Sequence, residues 1–203
     1  MRRLAITAAL VILAISPALA QAPPAAKPTR IRGTVEKLDG QTLTVKSREG
    51  PVLTIALAPN FTVSGIVKKS LSDIKTGDFV GAASTKAPDG KLRALEVLIL
   101  PEAARGSNEG QYPWDLTPDS LMTNATVSGI AAATGGQMLK LSYKDGESEV
   151  LVGPDAPIVT FGPGDPGLLK AGATVLISAQ KAADGSLTAA RVVAEKDGVK
   201  PPM

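Results

Sequence analysis

The chain has no histidine and no cysteine, and only one Trp, two Tyr and three Phe among 203 residues. Without imidazole or thiol there is no Ser-His-Asp or Cys-His nucleophile, no imidazole base, and no His/Cys zinc or copper site. No disulfide can staple the fold. The four Met residues are scattered, which excludes a Met-rich copper site. No two acidic residues are set apart by their surroundings, as general acid/base work requires. The chain is therefore expected to be no enzyme and to carry no cofactor. A carboxylate-based hydrolase is a distant alternative.

Carboxylate-only calcium binding survives these exclusions. However, Asp39, Asp89, Asp145 and Asp184 each precede Gly in an expected hairpin, and turn chemistry accounts for all four. Gly162-Pro163-Gly164-Asp165-Pro166-Gly167 has the spacing G-x-G-x-x-G, but a dinucleotide site needs a strand before it and a long helix after it. Here two prolines stiffen the loop and only Leu168-Leu169-Lys170 follow before Ala171-Gly172. A loop is expected.

Long apolar runs are also scarce. Met1-Arg2-Arg3, then Leu4 to Ile15, then Ala18-Leu19-Ala20 make a charged n-region, an h-region and a small-x-small cleavage signature. The run is shorter than the ~20 residues that span a bilayer. Residues 1–20 are expected to be a signal peptide, with no transmembrane span after cleavage and a periplasmic or secreted product. Cleavage removes Arg2 and Arg3, leaving 20 basic residues (22 less two) against 19 acidic ones. That balance provides no global field for nucleic acid.

What is abundant is Val, Leu, Ile, Thr, Gly and Ala, 44% hydrophobic overall with 3% aromatic, a mix suited to short strands and tight turns. Two stretches repeat. Gly77, Val80, Asp89 and Val97 recur as Gly172, Val175, Asp184 and Val192 at a shift of 95. Upstream, Gly33, Gly40-Gln41 and Gly50 recur as Gly129, Gly136-Gln137 and Gly146 at a shift of 96. One deletion between 50 and 77 reconciles the two, so a tandem duplication is read.

The organisation that follows is a signal peptide at 1–20, an Ala/Pro tether at 21–29, a β-barrel repeat at 30–100, an ordered linker at 101–125, a second repeat at 126–197 and a tail at 198–203. In each repeat three strands, one helical turn stopped by Gly77 or Gly172, and a closing hairpin predict an all-β fold. Two tandem OB-like barrels of five to six strands are expected, with one shared barrel or sandwich built from both repeats as the alternative. Phe61-Thr62-Val63 is read as a separate short strand.

Two groups of side chains are candidate sites. Arg30, Arg32, Lys68, Lys69 and Lys75 form a candidate basic face for an anionic glycan or lipid, against the plainer reading of solvated charge. OB-like barrels also bind single strands on aromatics, but Phe61 and Phe79 suit the core, and no nucleic acid partner is expected. In the linker, Arg105, Tyr112, Trp114 and Asp115 combine side chains favoured at recognition surfaces. Their plainer reading is a plug: Trp114 buried in the seam between barrels, with Arg105 and Asp115 pairing nearby.

Gly33-Thr34-Val35, Leu71 to Val80 and Asp89 to Val97, with their second occurrences, resemble DUF5666, a secreted β-barrel-like module of bacterial envelope proteins. The linker, with Arg105-Gly106, Glu109 to Leu116 and Met122 to Ala125, is similar to a group of α-proteobacterial secreted proteins. Some of those carry labels borrowed from metal transporters, and relatives often have His where this chain has Gln111. The resemblance implies fold and compartment and brings no activity with it. The expected function is a non-catalytic periplasmic or secreted module that binds or scaffolds an envelope protein, an anionic glycan or a lipid. The alternative is an accessory in divalent-metal handling that is not a permease.

Overall fold

A computed structural model describes residues 28–201, so the expected signal peptide at 1–20 and most of the expected tether at 21–29 lie outside the described residues. The described chain is all β: β1 (Thr29–Asp39), β2 (Thr42–Ser47), β3 (Val52–Lys69), β4 (Phe79–Lys86), β5 (Leu92–Ile99), β6 (Gly110–Pro113), β7 (Leu121–Ala133), β8 (Gly136–Tyr143), β9 (Gly146–Val152), β10 (Ile158–Pro163), β11 (Thr174–Lys181) and β12 (Leu187–Ala194). Short 3₁₀ turns lie at Leu71–Asp73, Glu102–Ala104 and Pro166–Leu168. Among the described residues no helix is long and apolar enough to cross a membrane.

Alternation makes the strands. In β2, Leu43, Val45 and Ser47 are buried while Thr42 and Lys46 face out, a period of two. The Asp-Gly turns supply the reversals: Gly40, Gly90 and Gly185 have φ of 58°, 81° and 85°, where a side chain is unfavourable.

The pairings close a five-stranded ring, as the sequence leads one to expect, but not within one repeat. β1, β2 and β3 form a meander, and β11 and β12, from the other end of the chain, complete the ring by pairing with β1 and β3. The remaining strands follow the same path: β7, β8 and β9 form a meander, β4 pairs with β7, and β5 meets β9 at Leu92↔Val150 and Arg93↔Leu151. A meander closed by a hairpin, with a parallel contact between its third strand and the last strand, is the OB-like arrangement. The expectation of tandem barrels, each built from its own repeat, is therefore corrected. The alternative of a barrel built from both repeats is met in part, since the closed ring draws strands from both halves of the chain. Each ring takes its meander from one half of the chain and its closing hairpin from the other.

Two cores confirm the exchange. Ile31, Leu43, Ile55, Val175, Ile177 and Val192 share one cluster, whereas Val80, Val97, Val127, Leu139 and Val150 share another. Ile74, after the first 3₁₀ turn, lies in the second core, and Leu169, after the last, lies in the first. The cause is local. β3 continues past Pro59-Asn60 to a length of 18 residues; that pair falls in a bulge between the rungs Leu57↔Ala189 and Thr62↔Arg191, so the chain goes onward as one strand instead of turning back there. Its last eight residues, at ~3.3 Å each, carry the chain ~26 Å onward instead of back. An extended hinge of this kind is the usual device of strand exchange. β10 returns the chain antiparallel alongside it, with Ile66 opposite Phe161.

The strand registers also give the spacing between corresponding rungs of the two rings, which differs from that of the expected repeat. Leu43 faces Ile55 as Leu139 faces Val150, so the offset is 96 (139 less 43) before the β2–β3 turn and 95 (150 less 55) after it. The one-residue difference lies in that turn, not beyond Gly50. Val35 pairs with Val45 and Val127 with Leu141, an offset of 92 (127 less 35), so the β7–β8 hairpin is longer by four. Gly33, opposite Val175, therefore corresponds to Ala125, opposite Val80, and not to Gly129.

Candidate binding surface beneath the linker

The linker is a strap across both rings. At one end, Arg105 donates to the carbonyl of Gly77 (2.8 Å) and to Thr126 Oγ1 (3.0 Å), pairs with Glu102, and stands 5.8 Å from the centre of the Phe79 ring. In the middle, β6 pairs with β7, Gln111 opposite Thr123 and Tyr112 opposite Met122. The far end closes on itself through Ser120, which is buried. Its hydroxyl accepts from the Thr117 N–H (3.1 Å) and donates to the Thr117 carbonyl (2.7 Å), while the Trp114 N–H donates to the Ser120 carbonyl (2.7 Å). Asp119 takes a φ of 59° in this loop, a conformation Asp tolerates better than most residues.

That far end rests on arginines of the first ring. Arg30 stacks over the Trp114 ring at 4.0 Å, Arg32 stands at 5.4 Å, and Tyr112 meets Trp114 edge-on at 6.2 Å. Asp115 accepts from Arg32 Nη2 at 2.8 Å and from Arg30 Nε at 3.2 Å. Arg48 reaches the carbonyls of Asp115 (3.1 Å) and Leu116 (3.4 Å). Burial on its own would raise the pKa of Asp115, but hydrogen bonding and charge from Arg32 and Arg30 outweigh it and hold the carboxyl below its ordinary value. Burial raises the Tyr112 phenol.

Arg32 is only 2% exposed, and a buried guanidinium left without its carboxylate is strongly destabilising. Two buried donors here, Arg32 Nε and Trp114 Nε1, have no acceptor among the described residues. The cluster is richer in donors than in acceptors.

Two sequence candidates thus come together: Arg30 and Arg32 with Tyr112, Trp114 and Asp115. The rest of the expected basic face does not join them. Lys68 and Lys69 pair with Val159 and Ile158 of β10, and Lys75 donates to the Ser72 carbonyl. Nor do Arg105 and Asp115 pair, since each has nearer partners on a different ring. The seam between rings is filled by Ile66, Val159 and Val193, with Leu98 and Phe161, so Trp114 is a half-buried strap residue and not its plug. Arg48 and Ser120 escaped the sequence reading because an Arg in a turn and a Ser after Pro-Asp both look solvated.

Comparison with known proteins adds one assignment. Residues 152–193 match the family described as Domain of unknown function (DUF5666). Over this stretch the chain is DUF5666-like. No curated protein matches the chain, and no solved structure does. The DUF5666 stretch runs from the end of β9 through β10 to β12, so it leaves the second ring, crosses beside β3 and closes the first ring. It supplies Thr174 to the first ring but not Arg30, Arg32 or Arg48.

Proposed function

We propose that this protein is a non-catalytic binding or scaffolding module of the bacterial envelope, exported to the periplasm or secreted. The observation that carries the proposal is the convergence of Arg30, Arg32 and Arg48 of the first ring with Trp114 and Tyr112 of the strap. Arg, Trp and Tyr are the side chains most often found to dominate recognition surfaces. The leader-like residues 1–20 support export. The divalent-metal alternative receives less support, because the turn acids are engaged elsewhere: Asp89 accepts from the Lys91 N–H, Asp184 from the Ser186 N–H, and Asp39 pairs with Lys37.

A thermal-shift screen of the mature chain against divalent metals, neutral and anionic glycans, and anionic lipids tests the proposal. Stabilisation by a glycan or lipid, lost in Arg30→Ala, is the expected result. Stabilisation by metals alone would favour the metal-handling alternative.

A further inference from the structure

An open groove of about 350 Å³ adjoins the arginine cluster on the first ring. Lys46, Arg48 and Lys200 line it together with Thr34, Ser47 and Thr174. No carboxylate is among its lining residues, and neither Lys46 nor Lys200 is ion-paired among the described residues. Glu49 stands beside it, taking a hydrogen bond from Ser47 and facing Arg48 at 3.7 Å, and Glu195 accepts from the Thr174 N–H at 3.2 Å, so three cations on the lining outnumber two acids at its edge.

The second ring shows what a filled version of this place looks like. By the register offsets, Thr34 corresponds to Thr126 (34 plus 92), Thr174 to Phe79 (174 less 95) and Lys200 to Arg105 (200 less 95). There, buried Phe79 occupies the space and Arg105 lies against it, bonded to Thr126, Gly77 and Glu102. In the first ring Thr replaces Phe, the space is open, and the cation at the Arg105 position has no partner among the described residues.

We infer that this groove binds a small anionic saccharide, a sugar bearing a phosphate or carboxylate, or the anionic end of a longer glycan; this rests on the binding-module reading above. Lys46, Lys200 and the Arg48 guanidinium take the charged group, as ammonium and guanidinium groups take phosphate or carboxylate. The exposed Thr34 side chain on the lining offers a hydroxyl to the sugar. A volume near 350 Å³ lies at the small end of ligand pockets, which run from roughly 300 to 1,000 Å³. The strap contributes by fixing Arg48 through the Asp115 and Leu116 carbonyls. A membrane plane suits the place less well: it is concave, and the exposed large apolar residues, Val52 and Val67, both lie on β3 and line no part of it.

The test is calorimetric titration of the full mature chain with glucose 6-phosphate, trigalacturonate, inorganic phosphate, maltotriose and phosphatidylglycerol vesicles. Expected are binding of glucose 6-phosphate or trigalacturonate that weakens with added salt, and a loss of at least about tenfold in Lys46→Ala/Lys200→Ala. Thr174→Phe, which copies the second ring and keeps every charge, should abolish binding while the protein stays folded by circular dichroism. Lys46→Arg/Lys200→Arg should retain it. Unchanged affinity in the double alanine variant and in Thr174→Phe would overturn the assignment. So would inorganic phosphate binding as tightly as the sugar phosphate, or vesicle binding without any soluble ligand. Binding of maltotriose alone would overturn the anion site while leaving the wider binding-module reading in place.

Discussion

A single cut in the exposed loop Gly106–Glu109 distinguishes exchanged rings from self-contained ones. Six ladders join strands before the loop to strands after it: β1–β11, β3–β10, β3–β12, β4–β7, β5–β9 and β5–β10. Each closing hairpin buries its apolar face in the other half's meander. Val175, Ile177, Val192, Val80 and Val97 are all fully buried there. At about 1.5–3 kcal/mol each, these five side chains alone give a gross burial of about 8–15 kcal/mol, an upper figure because the denatured chain is partly compact. Cutting the loop replaces an effective concentration near millimolar by a real one near micromolar, a loss of about 4 kcal/mol. The halves should therefore remain together at micromolar concentration, as one peak of full mass in size exclusion with light scattering. Their melting temperature should newly depend on concentration, falling on dilution. A protease site inserted after Ser107 leaves Arg105 and β6 undisturbed. Two separable, folded halves with concentration-independent melting would refute the exchange.

Three further outcomes follow from particular contacts. Trp114→Ala removes the Arg30 stack and a half-buried ring and should cost about 1–3 kcal/mol, a drop of several degrees by calorimetry; a fully buried Trp would cost more. Asp115→Asn should destabilise the chain at neutral pH. Because the folded pKa of Asp115 lies below its ordinary value of 3.8, the wild-type advantage is present above that value and is lost as pH falls through the lower folded one. Equal stability of the two proteins at pH 7 in urea titrations would remove Asp115 from the clamp. Gly33→Ala should cost about 1–3 kcal/mol, since a Cβ there would meet the Lys46 carbonyl oxygen at 2.2 Å, whereas the corresponding Ala125 already carries one. An unchanged urea midpoint would show that β1 can move aside.

The local grammar of the fold was legible because it is written in neighbouring residues. Asp39-Gly40, Asp89-Gly90 and Asp184-Gly185 are turns with glycine at positive φ, whereas Gly77, at φ 96°, does not stop the 3₁₀ turn, which ends at Ile74, but sits in a separate turn that leads into β4. The exchange was not legible, because Val175 and Ile177 alternate in the same way whichever meander they close. Only the behaviour of Pro59-Asn60 decides it: the turn-like pair is accommodated as a bulge because β12 pairs with β3 both before it, at Leu57, and after it, at Thr62, a tertiary override of a local signal. The repeat spacing misled at Gly33 for a related reason. A four-residue lengthening of the β7–β8 hairpin brought Gly129 to the spacing of Gly33 while moving it to a different rung. At the surface, Arg30 and Arg32 share a strand and a face by the period of two. Their partner Asp115 is more than eighty residues away, so nothing in the β1 sequence announces that Arg32 is covered.

The strap explains why the one Trp and a Tyr lie in a connection. Arg32 and Asn124 occupy corresponding rungs of the two rings, at the offset of 92 that joins Gly33 to Ala125. Each reaches for the same segment: Arg32 donates to Asp115 at 2.8 Å, and Asn124 donates to the Tyr112 hydroxyl at 2.9 Å. One short strap is thus held at equivalent places by both rings, and both rings contain strands of both halves. A long Arg in one ring and a short Asn in the other place the strap asymmetrically. Its Arg105 end lies in the pocket that Phe79 already fills, while its Asp115 end stops short of the corresponding groove and only steadies Arg48 at its edge. The asymmetry comes from Phe79 against Thr174 and Asn124 against Arg32. Lys46 adds the charge, since the register offset of 96 puts the neutral Ser142 at its place in the other ring, so one place is filled and the other open and cationic.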